Sequence, residues 1–280
     1  MRSENKNTSF APFFMLGAFL LTLCGIILRI VNISLFYDAD IGYFKKAPLP
    51  SVMYVFFLLV VVAFAVACVV LEKKELLKTD FNNPLYFKIL MVICAIGSFS
   101  AAMTVISSGN LGTANLLLVL AALGSAVYFA LYFAKKLSSL NTLLALFPAF
   151  ACLMILGLTY FDVYTQMNAP HKVLIHLASI ACMFGSLSEA RAIAEGNKRR
   201  MYFFSLSLAI FFTGVSSVPT VILYFSNSFE YSYIDYDCIL LVFFVYFVAR
   251  GVTHCIKSRK NVPESVINEE EKTFENNIEA

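Results

Sequence analysis

Charge is scarce in this chain. Of its 280 residues only 14% are Asp, Glu, Lys or Arg and 60% are hydrophobic, whereas soluble domains run at about 25% and about 45–50%. Little polar sequence separates the apolar stretches, so no separate globular domain is expected. Catalytic signatures are missing as well. There is no G-x-S-x-G, H-E-x-x-H, P-loop or glycine-rich dinucleotide fingerprint. The seven cysteines and three histidines form neither a CxxC pair nor a zinc-type spacing, so no metal and no cofactor is expected. His171 and His176 are five apart, about 140° around a helix, and cannot chelate one ion from a single face.

The placement of charge excludes more. No Asp or Glu falls near the middle of an apolar stretch, which argues against a carboxylate proton relay. No Lys lies mid-stretch for a retinal Schiff base, and there is no ladder of regularly spaced arginines. Basic residues gather at the ends of apolar stretches and make no groove-sized patch, so no nucleic-acid partner is expected. Cys24, Cys68, Cys94, Cys152 and Cys182 lie inside apolar stretches, where a thiol packs as a small hydrophobe.

What the chain does have is apolar length. A helix needs about 20 apolar residues to cross the hydrocarbon layer. Windows of that kind run near 11–31, 51–71, 86–107, 111–134, 141–161, 172–192, 201–224 and 238–257. They are continuous rather than alternating, which excludes strands as the spanning element. The expected fold is an all-α membrane protein, a polytopic bundle of eight transmembrane helices over residues 11–257. Arg2 and Lys6 precede the first stretch, but no A-x-A site follows it, so a retained helix is expected rather than a cleaved signal.

Orientation follows from Lys and Arg. Seventeen of the 21 fall at one set of helix ends, and four (Arg29, Lys45, Lys46 and Lys172) at the other. By the positive-inside rule both termini are cytoplasmic, and the regular alternation supports a count of eight. Residues 1–10 are then a short cytoplasmic segment. Residues 258–280, with Glu264, Glu269, Glu270, Glu271, Glu275 and Glu279, are too polar to bury and are expected to be a disordered cytoplasmic tail. The lack of a large extramembrane domain fits a bacterial plasma membrane.

Two outer loops are aromatic and acidic. Phe36, Tyr37, Tyr43 and Phe44 surround Asp38 and Asp40, and Phe229, Tyr231, Tyr233 and Tyr236 interleave with Glu230, Asp235 and Asp237. Besides membrane lipids, the expected partner is a protein met by these loops or by the acidic tail.

Depth singles out one cation. Arg250 lies about 18 Å from the outer end of the last stretch, in the inner half of the hydrocarbon. His254 and Lys257 follow at i+4 and i+7 on the same face. The matching anion is Glu189, which shares a face with Ala178, Cys182 and Ser186, a small-residue stripe that admits a neighbouring helix. A Glu189–Arg250 pair is expected, with Arg191 turned to the headgroups. Arg29 is expected to be an interfacial anchor that snorkels toward Asp38 or Asp40. Thr213, Gly214, Ser216, Ser217 and Pro219 make a polar, kinked segment that would line a cavity if one exists. Gly97, Ser98 and their small neighbours are read as facing Ala121, Ala122 and Gly124 in a tight hairpin.

Three functions remain: a non-catalytic accessory, scaffold or sensor; a small-molecule or lipid transporter; and a membrane enzyme acting on lipid. They differ in what surrounds Glu189, Arg250, His254, Ser216, Ser217 and Pro219. A central polar cavity favours transport, a filled core favours the scaffold, and an open cleft at Glu189, Arg250 and His254 favours the enzyme.

Overall fold

The computed structural model describes residues 10–38, 43–45, 48–73, 84–107, 112–133, 143–166, 169–195, 199–226 and 233–260. The expected N-terminal segment and acidic tail lie almost wholly outside these residues. Among them are eight helices: α1 (Ala11–Phe36), α2 (Pro48–Lys73), α3 (Leu85–Ser107), α4 (Thr113–Phe133), α5 (Leu146–Phe161), α6 (Pro170–Glu195), α7 (Arg199–Phe225) and α8 (Ile234–Lys260). Helix is the expected answer for such runs, because it satisfies each backbone group within the segment. Prolines mark several starts: α2 and α6 begin on Pro48 and Pro170, and Pro12 stands in the first turn of α1. At these positions the missing N–H has no helical partner to lose.

Seven of the helices are long and apolar enough to cross a membrane. The exception is α5, with 16 residues, which rises about 24 Å. The expected span of 141–161 is shortened because Leu143 and Leu144 are followed by a turn at Ala145. α4, at Thr113–Phe133, is also slightly shorter than the expected 111–134, whereas α6 starts at Pro170 rather than at 172 and α8 at Ile234 rather than at 238.

Side-chain contacts sort the helix ends. Tyr43, beyond α1, donates to Gln166 beyond α5 at 2.7 Å, and the Tyr233 hydroxyl before α8 donates to Asp162 after α5. The α1–α2, α5–α6 and α7–α8 turns therefore gather at one end, called here the turn end. At the opposite, terminal end, Cys255 Sγ of α8 reaches the Pro12 carbonyl of α1 at 3.7 Å. At the turn end a two-stranded antiparallel hairpin, β1 (Tyr37–Asp38) with β2 (Tyr43–Phe44), pairs Tyr37 with Phe44.

The centre of the bundle is α7 with α8. α7 touches α1, α2, α6 and α8, while α8 also touches α1 and α3. Within its most apolar stretch α7 is 78% buried, but α2 only 22%, so α2 is a peripheral helix. Close approach to α7 depends on Gly214, where an added Cβ would lie 2.7 Å from Phe244 of α8 and 2.9 Å from Thr22 of α1. Ser98, Ala101, Ala102, Ala121, Ala122 and Ser125 of the α3–α4 hairpin are buried as expected. Its glycines are not part of that seam: Gly97 abuts Val242 of α8, and Gly124 abuts Phe147 of α5. Each helix has two buried sides, and glycine stands on the one with the bulkier neighbour.

Overpacking a filled core costs about 1–3 kcal/mol. Gly214→Ala should therefore lower the unfolding midpoint when SDS is titrated into detergent-solubilised protein and helix content is followed by circular dichroism. Gly17→Ala, at a helical position with nothing within 4 Å of the new Cβ, should leave it unchanged. Equal midpoints for the two would refute the close approach.

Candidate functional site

On α6, Ala178, Cys182, Ser186 and Glu189 are all buried along one side, while Arg191 is exposed. On α8, Arg250 is fully buried. Its Nη2 lies 2.6 Å from Glu189 Oε1, so an ion pair joins α6 to α8 inside the bundle. Aromatic rings enclose the cation. The guanidinium carbon stands 4.3 Å from the ring centre of Phe87 on α3, 5.3 Å from Tyr132 on α4 and 5.9 Å from Tyr246 on α8. A desolvated cation–π contact contributes about 2 kcal/mol, so the cage offsets part of what removing the guanidinium from water costs. Behind the cage the hydroxyls of Tyr128 and Tyr246 are 3.0 Å apart.

His254 lies one turn beyond Arg250 and is buried. Its Nε2 is 2.9 Å from the Tyr202 hydroxyl of α7, and its ring packs on Phe203. The Lys257 side chain lies outside the described residues. Glu189, Arg250 and His254 are thus sealed in side chains and do not line an open cleft. Among the described residues no three His, Cys, Asp or Glu side chains form a metal-binding group.

Ser216, Ser217 and Pro219 belong to a second centre. Ser216 Oγ donates to Asp237 Oδ1 at 3.1 Å, tying α7 to the first turn of α8. Ser217 Oγ donates back to the Thr213 carbonyl at 2.6 Å, and Thr220 Oγ1 to the Ser216 carbonyl at 2.8 Å. α7 continues through Pro219 to Phe225. The hydroxyls of Ser217 and Thr220 bond to their own helix, as hydroxyls do in apolar surroundings, and Ser216 and Ser217 are buried. Asp237 was assigned to an outer loop because the helix was started at Cys238. Asp235 and Asp237 fall instead in the first turn of α8, where the positive end of the helix dipole favours carboxylates. That acidic pair was the signal that could have moved the boundary.

Asp237 and Arg250 are thirteen residues apart on α8, about 20 Å. Between the two centres Leu240, Phe243 and Phe247 of α8 and Ile210 and Phe211 of α7 are all buried. The candidate residues thus form two polar centres divided by an apolar septum.

A third polar group, at the turn end, corrects the reading of Arg29. Its side chain does not snorkel outward; the residue is 1% exposed. Its Nη2 is 2.7 Å from His171 Nδ1. Arginine only donates, so Nδ1 accepts and the imidazole is neutral with its proton on Nε2. The hairpin covers both groups, with Phe44 5.4 Å from the guanidinium carbon and Tyr37 edge-on to His171 at 4.6 Å. Lys172, counted from the sequence only as a charge, is fully buried and donates to the carbonyls of Asp162 at 2.8 Å and Thr165 at 3.0 Å. The Asp162 carboxylate also accepts from Tyr164 N–H at 3.0 Å.

Burial alone would push the Asp162 carboxyl up. Hydrogen bonds from Tyr233, Tyr164 N–H and Thr165, with the charge of Lys172, outweigh it and hold the carboxyl below its ordinary 3.8. Burial first, and then the hydrogen bond to Asp162, push the Tyr233 phenol above its ordinary 10.0.

Removing one member of a buried ion pair typically costs about 3–5 kcal/mol, whereas replacing both by apolar residues is often neutral. Glu189→Gln should therefore lower the SDS midpoint strongly, and Glu189→Leu with Arg250→Met should recover most of the loss. A Glu189→Gln protein as stable as wild type would dismiss the clamp. For Asp162, a folded value below the unfolded one means a contribution complete above about pH 4 that fades as pH falls through the folded value. Midpoints measured from pH 7 to pH 3 should fall less steeply at the acid end for Tyr233→Phe than for wild type. Parallel curves would remove Tyr233 from the latch. Comparison with known proteins supplies no relative: no family model, curated protein or solved structure matches this chain.

Proposed function

We propose that this chain is a non-catalytic component of a membrane: an accessory, scaffold or sensor subunit rather than an enzyme or a carrier. One observation carries the reading. The polar side chains that a carrier would expose to a substrate path are buried and bonded within the bundle: Glu189 with Arg250, Ser216 with Asp237, and Ser217 with its own backbone. The septum of Leu240, Phe243, Phe247, Ile210 and Phe211 adds to it. Burial of Glu189, Arg250 and His254 counts against a lipid enzyme, which needs an acid–base pair that substrate can reach.

The partner of such a subunit is a protein met at the acidic tail. Of the two aromatic loops first considered, Tyr37, Tyr43, Phe44 and Tyr233 are engaged within the chain. The tail carries Glu264, Glu269, Glu270, Glu271, Glu275 and Glu279. The excess of Lys and Arg at the terminal end, seventeen against four, assigns that end to the cytoplasm. Its setting is a bacterial plasma membrane.

The second reading is a transporter seen closed. It draws on two polar centres at different depths of the same helix pair, and on Pro219 beside the hydroxyl-rich segment of α7. Water access separates the two. Ser216→Cys and Ser217→Cys, in membrane vesicles of either orientation, should react with a charged thiosulfonate no faster than the native cysteines of the parent chain. Reaction from one face at the rate of an exposed site such as Lys45→Cys would establish a water path and replace the scaffold by the transporter.

A further inference from the structure

The segment between α5 and α6 is built inside out for a loop in water. Phe161, Val163 and Tyr164 are 78%, 86% and 97% exposed, the highest exposures among the large apolar side chains of the described residues. The polar groups beside them turn inward. Asp162 accepts from Tyr233 and from Tyr164 N–H, and the carbonyls of Asp162 and Thr165 accept from the buried ammonium of Lys172. Gln166 accepts from Tyr43 of the hairpin. An exposed loop whose polar groups are hydrogen-bonded within the chain and whose apolar side chains are held out suits an apolar medium.

The length of α5 identifies that medium. At 16 residues it rises about 24 Å, short of the roughly 30 Å of hydrocarbon by about 6 Å. The other helices have 21 to 27 residues. Leu143 and Leu144, helical before the turn at Ala145, extend its other end; at this end Phe161 closes α5, and Val163 and Tyr164 follow it directly. Tyrosine is favoured at the headgroup boundary, where its ring is apolar and its hydroxyl wet.

The geometry points to a lipid-docking wedge: Phe161, Val163 and Tyr164 enter the headgroup–acyl boundary of the leaflet at the turn end, completing the short helix α5. The occupant is the lipid surface itself. The wedge is held from behind by Lys172, Asp162 and Tyr233, so it compensates the mismatch of one helix without tilting the bundle. This surface is independent of whether the bundle is a scaffold or a carrier.

The chain contains no tryptophan, so a single introduced indole reports its own surroundings. Tyr164→Trp and Val163→Trp replace exposed side chains that make no packing contact the fold requires. Leu59→Trp, on the exposed face of α2 near its middle, serves as the deep reference. Each purified variant is placed in phosphatidylcholine vesicles containing lipid brominated either near the headgroup or deep in the chain. For both loop variants we expect blue-shifted emission, stronger quenching by the shallow bromines than by the deep ones, and iodide quenching several-fold below that of a soluble tryptophan analogue. Leu59→Trp should show the reverse depth preference. Water-like emission with full iodide quenching would overturn the wedge and leave the loop for a soluble partner. Blue-shifted emission insensitive to both bromine and iodide would also overturn it, since the loop would then be covered by a second copy of the chain.

Discussion

The half of this bundle toward its terminal end is arranged around two charges that cannot stand alone. Moving a carboxylate or a guanidinium from water into an apolar interior costs several kcal/mol per ion even after relaxation, and the attraction between them repays it only with good geometry and further partners. Glu189 and Arg250 stand 2.6 Å apart, with the rings of Phe87, Tyr132 and Tyr246 around the cation. Their requirement then dictates the neighbourhood. Gly185 of α6 abuts Phe247 of α8, and α3 and α4 supply Phe87 and Tyr132 to the guanidinium. The pair joins α6 to α8, and replacing such a pair by apolar residues of similar volume is often neutral.

The same economy governs the other polar groups. Lys172 caps backbone carbonyls, Arg29 is held by His171 beneath a hairpin, and Ser216 meets Asp237. Hydroxyls of Ser217 and Thr220 return to carbonyls one turn back in α7, the most buried of the seven long apolar helices. The few charges buried in this bundle are engaged within it. That self-sufficiency is the physical content of the scaffold reading, and the septum of Phe243, Phe247 and Phe211 is its structural counterpart.

The candidate site was legible where it depended on depth and helical face. Arg250 stood deeper than orientation required, and Glu189 stood on the side of α6 that small residues mark for a neighbour; both deductions need only the rise and period of a helix. The aromatic cage was illegible, because Phe87 and Tyr132 come from helices more than a hundred residues away in sequence and look like ordinary apolar positions. Arg29 was misjudged for a related reason. Its distance from the helix start was right, but a residue near the boundary is wet or dry according to what folds over it, and here a hairpin and α6 do. Asp237 was missed through a boundary placed four residues late.

By itself the sequence determined the class of the molecule. Runs of apolar residues that long must be helical to satisfy their backbone in lipid, and the alternating basic ends give those helices an expected direction; both are one-dimensional properties. Only the tertiary structure decided that α7 and α8 are central and α2 peripheral. It also divided the six candidate residues between two separate centres, and turned the α5–α6 loop apolar side outward. Those outcomes depend on which faces meet, and apolar faces resemble one another closely until shape, small residues and a few obligatory polar pairings choose among them.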